Sequence, residues 1–514
     1  MTEERTTQTT PLDPRRRLWW FAALALAIGV LIAHASRYLD YTVDDAFISF
    51  RYGQHWADGH GLVFNPGDRV EGYSNLAWTV LFGAIASVAS DPVWWMKGIA
   101  LTLGAGALVL VAALALQTTG SVVAAAVAAL LVAQSPFFAV WTVAGLETPL
   151  FAVELLAMVF FAARRQAIPY GVAAALCCLT RPEGVAMVLG VAAERTLRRR
   201  RLEPWLVWPL LAAAGQLAFR LVYYGDWVPN TAHVKLGGGL PQYLQGLAWI
   251  WRMLGDWSLW LALPGLAAAP FLLSREPAIR ISLALIAGYL AFLVYSGGDF
   301  FALFRLGVPI MPLMIVVIVA TAAALGRRLP ASGPWRAAGW GAIGVALVGC
   351  LVVAPLYRTE PARGRVARET RMLHHFSIPA AKWLREHSPP GSTVALTVAG
   401  AIPYYSGLRT IDRFGLSDAE IARADLPWLG LRSGISKFDP DSVLRRKPDW
   451  ILLDINDQKL RQGDLDTLHA ADRALLGRPA FRESYRLVDD WLRDSRRRLA
   501  LYVRRGSSAE AGID

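Results

Sequence analysis

Long apolar runs alternate with short, mostly basic breaks from residue 18 to residue 353, after which the pattern changes to strand-length and helix-length periods. Several runs, among them 206–222, 281–295 and 306–325, approach the roughly 20 residues that cross a hydrocarbon core as helix. The breaks carry Arg15-Arg16-Arg17, Arg164-Arg165, Arg198 to Arg201 and Arg327-Arg328. Lys and Arg are retained in cytoplasmic loops, so these clusters place the N-terminus inside and the Asp44 region outside. From Arg164 onward the alternation is clean. Residues 206–222 cross outward, 257–273 return, 281–295 cross outward, 306–325 return and 340–353 cross outward, which leaves everything after Tyr357 extracytoplasmic. Two stretches resist this scheme. Residues 74–145 hold three apolar runs and almost no charge, and the pieces flanking Arg181-Pro182-Glu183 are short for full spans. Broken or half-spanning helices lining a protein cavity account for such segments. The expected architecture is a polytopic α-helical membrane protein of about 10–13 spans. Residues 1–17 form a cytoplasmic tail, 18–357 the transmembrane part with a first outer loop at about 36–75, and 358–514 an extracytoplasmic α/β domain.

The α/β expectation rests on strands read at 394–398, 449–454 and 498–503, separated by helical stretches at 378–387 and 441–446. Residues 15–35 also resemble a signal peptide ending in Ala33-His-Ala35. Cleavage there would leave an acidic loop as the new N-terminus, so an uncleaved first span is the preferred reading. The chain's 514 residues are 55% hydrophobic and its net charge is +12. Much of that charge is spent in the inner loops, which argues against a nucleic-acid partner. Cys177, Cys178 and Cys350 all lie in apolar segments, without metal-ligand or disulfide-framework spacing. His55, His60 and His233 are too scattered for a metal site.

The polar stretch from Tyr41 to Asn75 opens on Asp44-Asp45. A carboxylate at membrane depth costs roughly 2.5–3.5 kcal/mol on insertion scales, so it is placed for a purpose. If residues 43–54 are helical, adjacent side chains point about 100° apart and the two acids do not converge. Asp44, Ile48 and Arg51 share one stripe, Asp45, Ser49 and Tyr52 the next. That spacing suits one carboxylate as general base better than a two-carboxylate metal clamp; the bland alternative is a helix cap. Glu147 lies between Gly145 and Pro149 at a span end, either facing a cavity or starting a helix. Arg181 and Glu183 interrupt an apolar stretch; they either neutralise each other or leave Arg181 to hold an anionic headgroup. Two outer loops add Asn230, His233 and Lys235, then Asp299 and Arg305. Interfacial anchoring by aromatic and basic residues explains Trp227 and Phe304 but not Asn230 or Asp299.

Asp44-Asp-Ala-Phe-Ile, Gly59-His-Gly-Leu-Val-Phe-Asn-Pro-Gly67, Arg69-Val-Glu-Gly72, Gly145-Leu-Glu-Thr148, Arg181-Pro-Glu183, Val228-Pro-Asn-Thr231 with Lys235, and Gly297-Gly-Asp-Phe300 follow in that order. A weaker echo appears in Ile411-Asp-Arg-Phe-Gly-Leu416. Together they resemble the integral-membrane glycosyltransferases of the GT-C superfamily, nearest to the mycobacterial terminal arabinofuranosyltransferase type. The resemblance implies inverting transfer from a polyprenyl-phosphate sugar to an extracytoplasmic glycan or protein acceptor at a bacterial inner membrane, with membrane lipid as surroundings. It implies no obligatory cofactor and leaves room for a divalent cation. On that reading Asp44 or Asp45 takes the acceptor proton, and Arg51, Arg181, Lys235 and Arg305 meet the donor phosphate. Glu147, Glu183, Asn230, His233 and Asp299 then contact sugar or acceptor. A lipid-linked-sugar flippase is the rival from another class, although no internal two-fold repeat is evident; a membrane scaffold leaves the acidic loop unexplained.

Overall fold

A computed structural model describes residues 13–200, 203–257, 259, 263–328, 344, 360–426, 437–456, 470–488, 491 and 499–513. The helical part runs in order α1 (Pro14–Ala35), α2 (Asp44–Ala57), α3 (Leu76–Ala86), α4 (Pro92–Thr119) and α5 (Val122–Ala133). It continues with α6 (Pro136–Val143), α7 (Thr148–Ala163), α8 (Ala167–Thr180), α9 (Glu183–Arg199) and α10 (Val207–Tyr224). Then come α11 (Asn230–Lys235), α12 (Gly239–Asp256), α13 (Leu263–Leu272), α14 (Pro277–Ser296) and α15 (Met311–Gly326).

Among the described residues five helices are long and apolar enough to cross a membrane: 14–38, 92–119, 204–224, 277–296 and 305–326. α5 and α6, bent by 61°, act as a sixth if taken as one span, and α3, α7, α8 and α13 are shorter apolar helices. The expected crossing at 340–353 lies outside the described residues. α15 is buried along most of its length and α10 hardly at all, so α15 lies at the centre of the bundle and α10 at its rim. Leu210, Leu211 and Val222 on α10 are exposed, as are Leu18, Trp19 and Phe21 on α1. Apolar surface of that extent belongs against lipid. The break at Arg181-Pro182 turns α8 directly into α9. Gly184 is required there because a Cβ would strike the Cys177 carbonyl.

The C-terminal part is built on a five-stranded sheet of order β2-β1-β3-β5-β4. β1 (Thr393–Leu396) runs parallel to both β2 (Arg409–Asp412) and β3 (Trp450–Asn456). β5 (Leu499–Arg504) is antiparallel to β3 and to β4 (Tyr485–Leu487). The helix Ala401–Ser406 makes the β1–β2 crossover. The strand expectations near 394, 449 and 498 correspond to β1, β3 and β5. β2 and β4 had no expectation: each is a strand of three or four residues at a sheet edge, too short to show alternation.

The first polar loop docks on this sheet. Ile48, Tyr52, Phe64 and Tyr73 share one apolar cluster with Leu384, Val394, Leu396, Trp450 and Leu501. The Asn65 side chain imitates a strand edge, donating to the Thr410 carbonyl and accepting from its N–H, both at 2.9 Å. Arg51 is buried and donates to the carbonyls of Phe64 (2.6 Å), Leu408 (2.7 Å) and Pro403, and to Asn65 Oδ1 at 3.4 Å. Burial pulls its guanidinium down to about 9. Replacing Arg51 with Met leaves three carbonyls without their donor, at about 1–3 kcal/mol each. Arg51→Met is therefore expected to lower the melting temperature in detergent and to free the C-terminal part for limited proteolysis. Arg51→Lys should recover only a fraction, because one ammonium cannot span the same acceptors.

Candidate active site

At the start of α2 the two acids separate as the helical spacing requires. Asp44 turns to the C-terminal part: its Oδ2 accepts the Gly400 N–H and its Oδ1 the Ala401 N–H, each at 2.9 Å. These are the free N–H groups at the start of the helix Ala401–Ser406, so Asp44 caps a helix that lies more than 350 residues away in the chain. A Cβ on Gly400 would run into the Asp44 main chain and carboxylate, which explains the glycine. Burial pushes the Asp44 carboxyl up to about 7, against the pull of the two N–H groups.

Asp45, on the neighbouring stripe, lies within electrostatic reach of Lys235 at the end of α11. Burial, with the guanidiniums of Arg305 and Arg181, holds the Lys235 ammonium below the usual lysine range, while Asp45 and then Asp299 draw it up. Among the described residues this ammonium has no hydrogen-bond acceptor or ion-pair partner. Asp45 and Asp299 act on it through space, without a hydrogen bond among the described residues.

Arg181 forms the floor of the cluster and is already paired. Its Nε lies 2.6 Å from Glu183 Oε1 and its Nη1 3.4 Å from Glu147 Oε1. Glu147 Oε2 accepts Asn75 Nδ2 at 2.7 Å, and Asn75 Oδ1 accepts Ser49 Oγ (2.9 Å) and Thr79 Oγ1 (3.1 Å). One buried network thus joins α2, α3, α7 and the α8–α9 turn. Two carboxylates for one guanidinium is a structural solution, since a buried charge survives only when paired. Both earlier alternatives for Arg181 resolve toward neutralisation, and Glu147 and Glu183 are its counterions.

The Asp299 loop closes the opposite side. Gly297 and Gly298 have φ of 77° and 76°, and Leu303 and Phe304 follow at 61° and 52°. Two successive non-glycine residues in the left-handed region cost about 1–3 kcal/mol each and are held only where surroundings dictate them. Here the surroundings are visible. A Cβ on Gly298 would enter the Trp249 ring, Trp249 Nε1 donates to the Asp299 carbonyl at 2.8 Å, and the Leu306 N–H donates to Asp299 Oδ2 at 3.2 Å. The turn brings Arg305 Nε to 3.4 Å from Asp299 Oδ2, over the Phe301 ring. Burial raises the Asp299 carboxyl above its ordinary value despite Arg305. Tyr289 on α14 had no expectation. It is fully buried within electrostatic reach of Arg181, Glu183, Arg305 and Glu147, and its hydroxyl has no hydrogen-bond partner among the described residues. The available signal was a phenol inside an apolar span.

The structure therefore brings together Asp45, Glu147, Arg181, Glu183, Lys235, Asp299 and Arg305. It places four candidates elsewhere. Arg51 is spent on carbonyls and does not face this cluster's cations, which does not fit a donor-phosphate role. Asn230 donates to the carbonyls of Gly415 (2.7 Å) and Leu416 (3.0 Å), tying α11 to the segment that echoes the family motif at Ile411–Leu416. His233 Nε2 lies 2.9 Å from Asp226 Oδ2, which also accepts Arg423 Nη2 at 2.7 Å. Asn230 and His233 thus serve the junction with the C-terminal part. Asp44 joins them there, while Asp45 stays with the cluster. No group of three or more His, Cys, Asp or Glu side chains placed to hold a metal occurs among the described residues.

The fold is thus a bundle of long apolar helices, broken at Arg181-Pro182, with a sheet-bearing C-terminal part docked on the first loop. The crystal structure of ArnT from Cupriavidus metallidurans bound to undecaprenyl phosphate matches at a TM-score of 0.55 with 15% identity, over 94% of this chain and 98% of that one. Its apo state matches at 0.51 with 16% identity, over 95% and 98%. By sequence the chain is similar to the terminal β-(1→2)-arabinofuranosyltransferase of Mycobacterium tuberculosis H37Rv, at 29% identity over 264 residues. That match covers 46% of this chain and 41% of the relative, so the chain spans less than half of that protein's length. Residues 365–503 match a family described as a domain of unknown function, DUF8728.

The Asp44 cap sets a pH dependence. Between its ordinary 3.8 and about 7 the folded chain holds a proton that the unfolded chain has released. Stability must then fall as pH rises through that window, by up to about 1.4 kcal/mol per unit, and level off above it. Melting of wild type between pH 4.5 and 8 is expected to show this slope and Asp44→Asn to reduce it, most clearly between pH 6 and 7, above the range where Asp412, raised to about 6, contributes. Parallel profiles for the two proteins would contradict the assignment.

Proposed function

We propose that this chain is a membrane glycosyltransferase that moves a sugar from a polyprenyl-phosphate donor to a glycan or protein acceptor, with inversion. The observation that carries the reading is the convergence of Asp45 and the Lys235 ammonium, from loops nearly 200 residues apart, beside Arg305 and Asp299. The undecaprenyl phosphate bound by the structurally similar ArnT supports a lipid-phosphate donor. The arabinofuranosyltransferase resemblance supports arabinofuranose as the sugar. The basic loops support a bacterial inner membrane with the N-terminus cytoplasmic and the site and C-terminal part outside.

The acceptor hydroxyl attacks the anomeric carbon as the carbon–phosphate-oxygen bond breaks. The electron pair leaves on the polyprenyl phosphate, and the hydroxyl proton passes to Asp45. Lys235, with Arg305 beside it, meets the charge that grows on the departing phosphate. Such cations act strongly because they are fixed in place before the charge develops and need no reorganisation. Arg181 works one step back, holding Glu147 and Glu183 so that their charge is spent before the donor arrives. Asp299 orients Arg305, and the Tyr289 hydroxyl lies near enough to Arg305 to serve sugar or phosphate oxygens.

The direct experiment is transfer from synthetic polyprenyl-phosphoryl arabinofuranose to an arabinan fragment by purified protein in detergent, where transport has no meaning. Asp45→Asn is expected to lose about 10²–10⁴-fold in turnover with unchanged melting, as removal of a positioned base does. Lys235→Met should lose at least about 10²-fold, with Lys235→Arg recovering part of it. Activity retained in Asp45→Asn but lost in a folded Asp44→Asn would return the base role to Asp44. Turnover only with another lipid-linked sugar would sink the arabinose assignment. Silence with every such donor, together with transport in sealed vesicles, would replace transfer by flipping.

A further inference from the structure

Two adjoining cavities open at the end of the bundle opposite Asp45. α7 begins beside Glu147 and ends at Ala163, α9 begins at Glu183 and ends at Arg199, and α14 runs back from the Asp299 loop to Pro277. At 1.5 Å per residue, the 16 residues of α7 separate the two ends by about 24 Å, most of a hydrocarbon core. The smaller cavity, about 160 Å³, is lined by Arg165, Glu194, Arg195, Arg198 and Arg280. The larger, about 350 Å³, shares Arg165 and Arg195 and extends to Tyr170, Glu203 and Trp205.

The acids here organise the guanidiniums without cancelling them. Glu194 Oε1 takes the Nε of both Arg198 (3.2 Å) and Arg280 (3.0 Å). Glu203 Oε2 takes Nε and Nη2 of Arg195 at 2.9 and 2.6 Å, and Arg195 Nη1 goes to the Ala162 carbonyl. The lining thus carries four guanidiniums and two carboxylates, with Glu276 acting on Arg280 from outside the lining, an excess of positive charge suited to a group with several anionic oxygens. The flanks are apolar. Ile168 and Leu197, close in sequence to lining residues, are 71% and 80% exposed, and Trp205 supplies the aromatic wall common at membrane interfaces. A soluble phosphate has no use for such shoulders, whereas a lipid carries its headgroup and chains together.

We propose that these cavities bind the phosphate headgroup of an anionic phospholipid in the leaflet opposite the transfer site. The occupant ties α7, α9 and α14 together at the end remote from the chemistry. The test is melting of the purified full chain in detergent with dioleoylphosphatidylglycerol, dioleoylphosphatidylcholine or glycerol 1-phosphate. Phosphatidylglycerol is expected to raise the melting temperature by at least about 3 °C and phosphatidylcholine to do nothing. The double variant R165Q/R198Q, changed at exposed side chains and so melting normally without lipid, should lose at least half of the gain. Equal gains from both lipids, or a gain that survives in the double variant, would overturn the proposal. A full gain from glycerol 1-phosphate alone would assign the site to a soluble phosphate and overturn the lipid. None of these readings depends on sugar transfer, so this inference and the proposed activity stand or fall separately.

Discussion

The contact on which the molecule turns is the docking of one stripe of α2 against the C-terminal part. Asp44, Ile48 and Arg51 lie along that stripe. Asp44 caps the helix Ala401–Ser406, Ile48 enters the sheet's apolar cluster, and Arg51 binds the carbonyls of Pro403 within that short helix and of Leu408 just past its end. A helix of six residues has little stability of its own. It is held from outside, by a carboxylate at its start and a guanidinium near its end, which is the favourable sense for both charges relative to its dipole. The rotation of α2 is thereby fixed, and with it the direction in which Asp45 faces.

From this fixed rotation the site follows. With Asp44 committed, the neighbouring stripe brings Asp45 within electrostatic reach of Lys235 and turns Ser49 toward Asn75. The Ser49–Asn75–Glu147–Arg181–Glu183 chain then carries the same orientation through three further helices. The strained Asp299 loop completes the wall. Its two left-handed non-glycine residues are affordable because Trp249 and Leu306 hold it by hydrogen bonds at both ends of Asp299. Rigid positioning of cations around one acid is the arrangement that charge-developing chemistry uses.

Much of this was legible in the sequence, and the failures are instructive. The apolar runs at 206–222, 281–295 and 306–325, the broken helix at Arg181-Pro182-Glu183 and the helical reading of residues 43–54 all come from local periodicity, and the structure has each of them. The two stripes on α2 were also readable. Which stripe does chemistry and which one docks was not, because the partners of Asp44 and Arg51 lie about 350 residues downstream and leave no trace in spacing. Asn230 and His233 went the same way: polar residues among motif residues, drawn off by Gly415, Leu416 and the Asp226–Arg423 pair. Tyr289 was hidden because a phenol in an apolar run reads as packing.

These misplacements share a cause that bears on how the motifs are read. A polar residue beside a membrane-embedded site answers two demands, to react and to keep the extracytoplasmic part in register. Periodicity reports only that a face is polar. What separates the demands is pairing. Arg51 and Arg181 meet all or most of their needs within the protein, whereas Lys235 is half-buried among charges and makes no hydrogen bond or ion pair among the described residues. Free energy decides between them. An ammonium drawn out of water without a hydrogen bond is less stable than a paired one, and among the described residues Lys235 is left in that position while its arginine neighbours are paired.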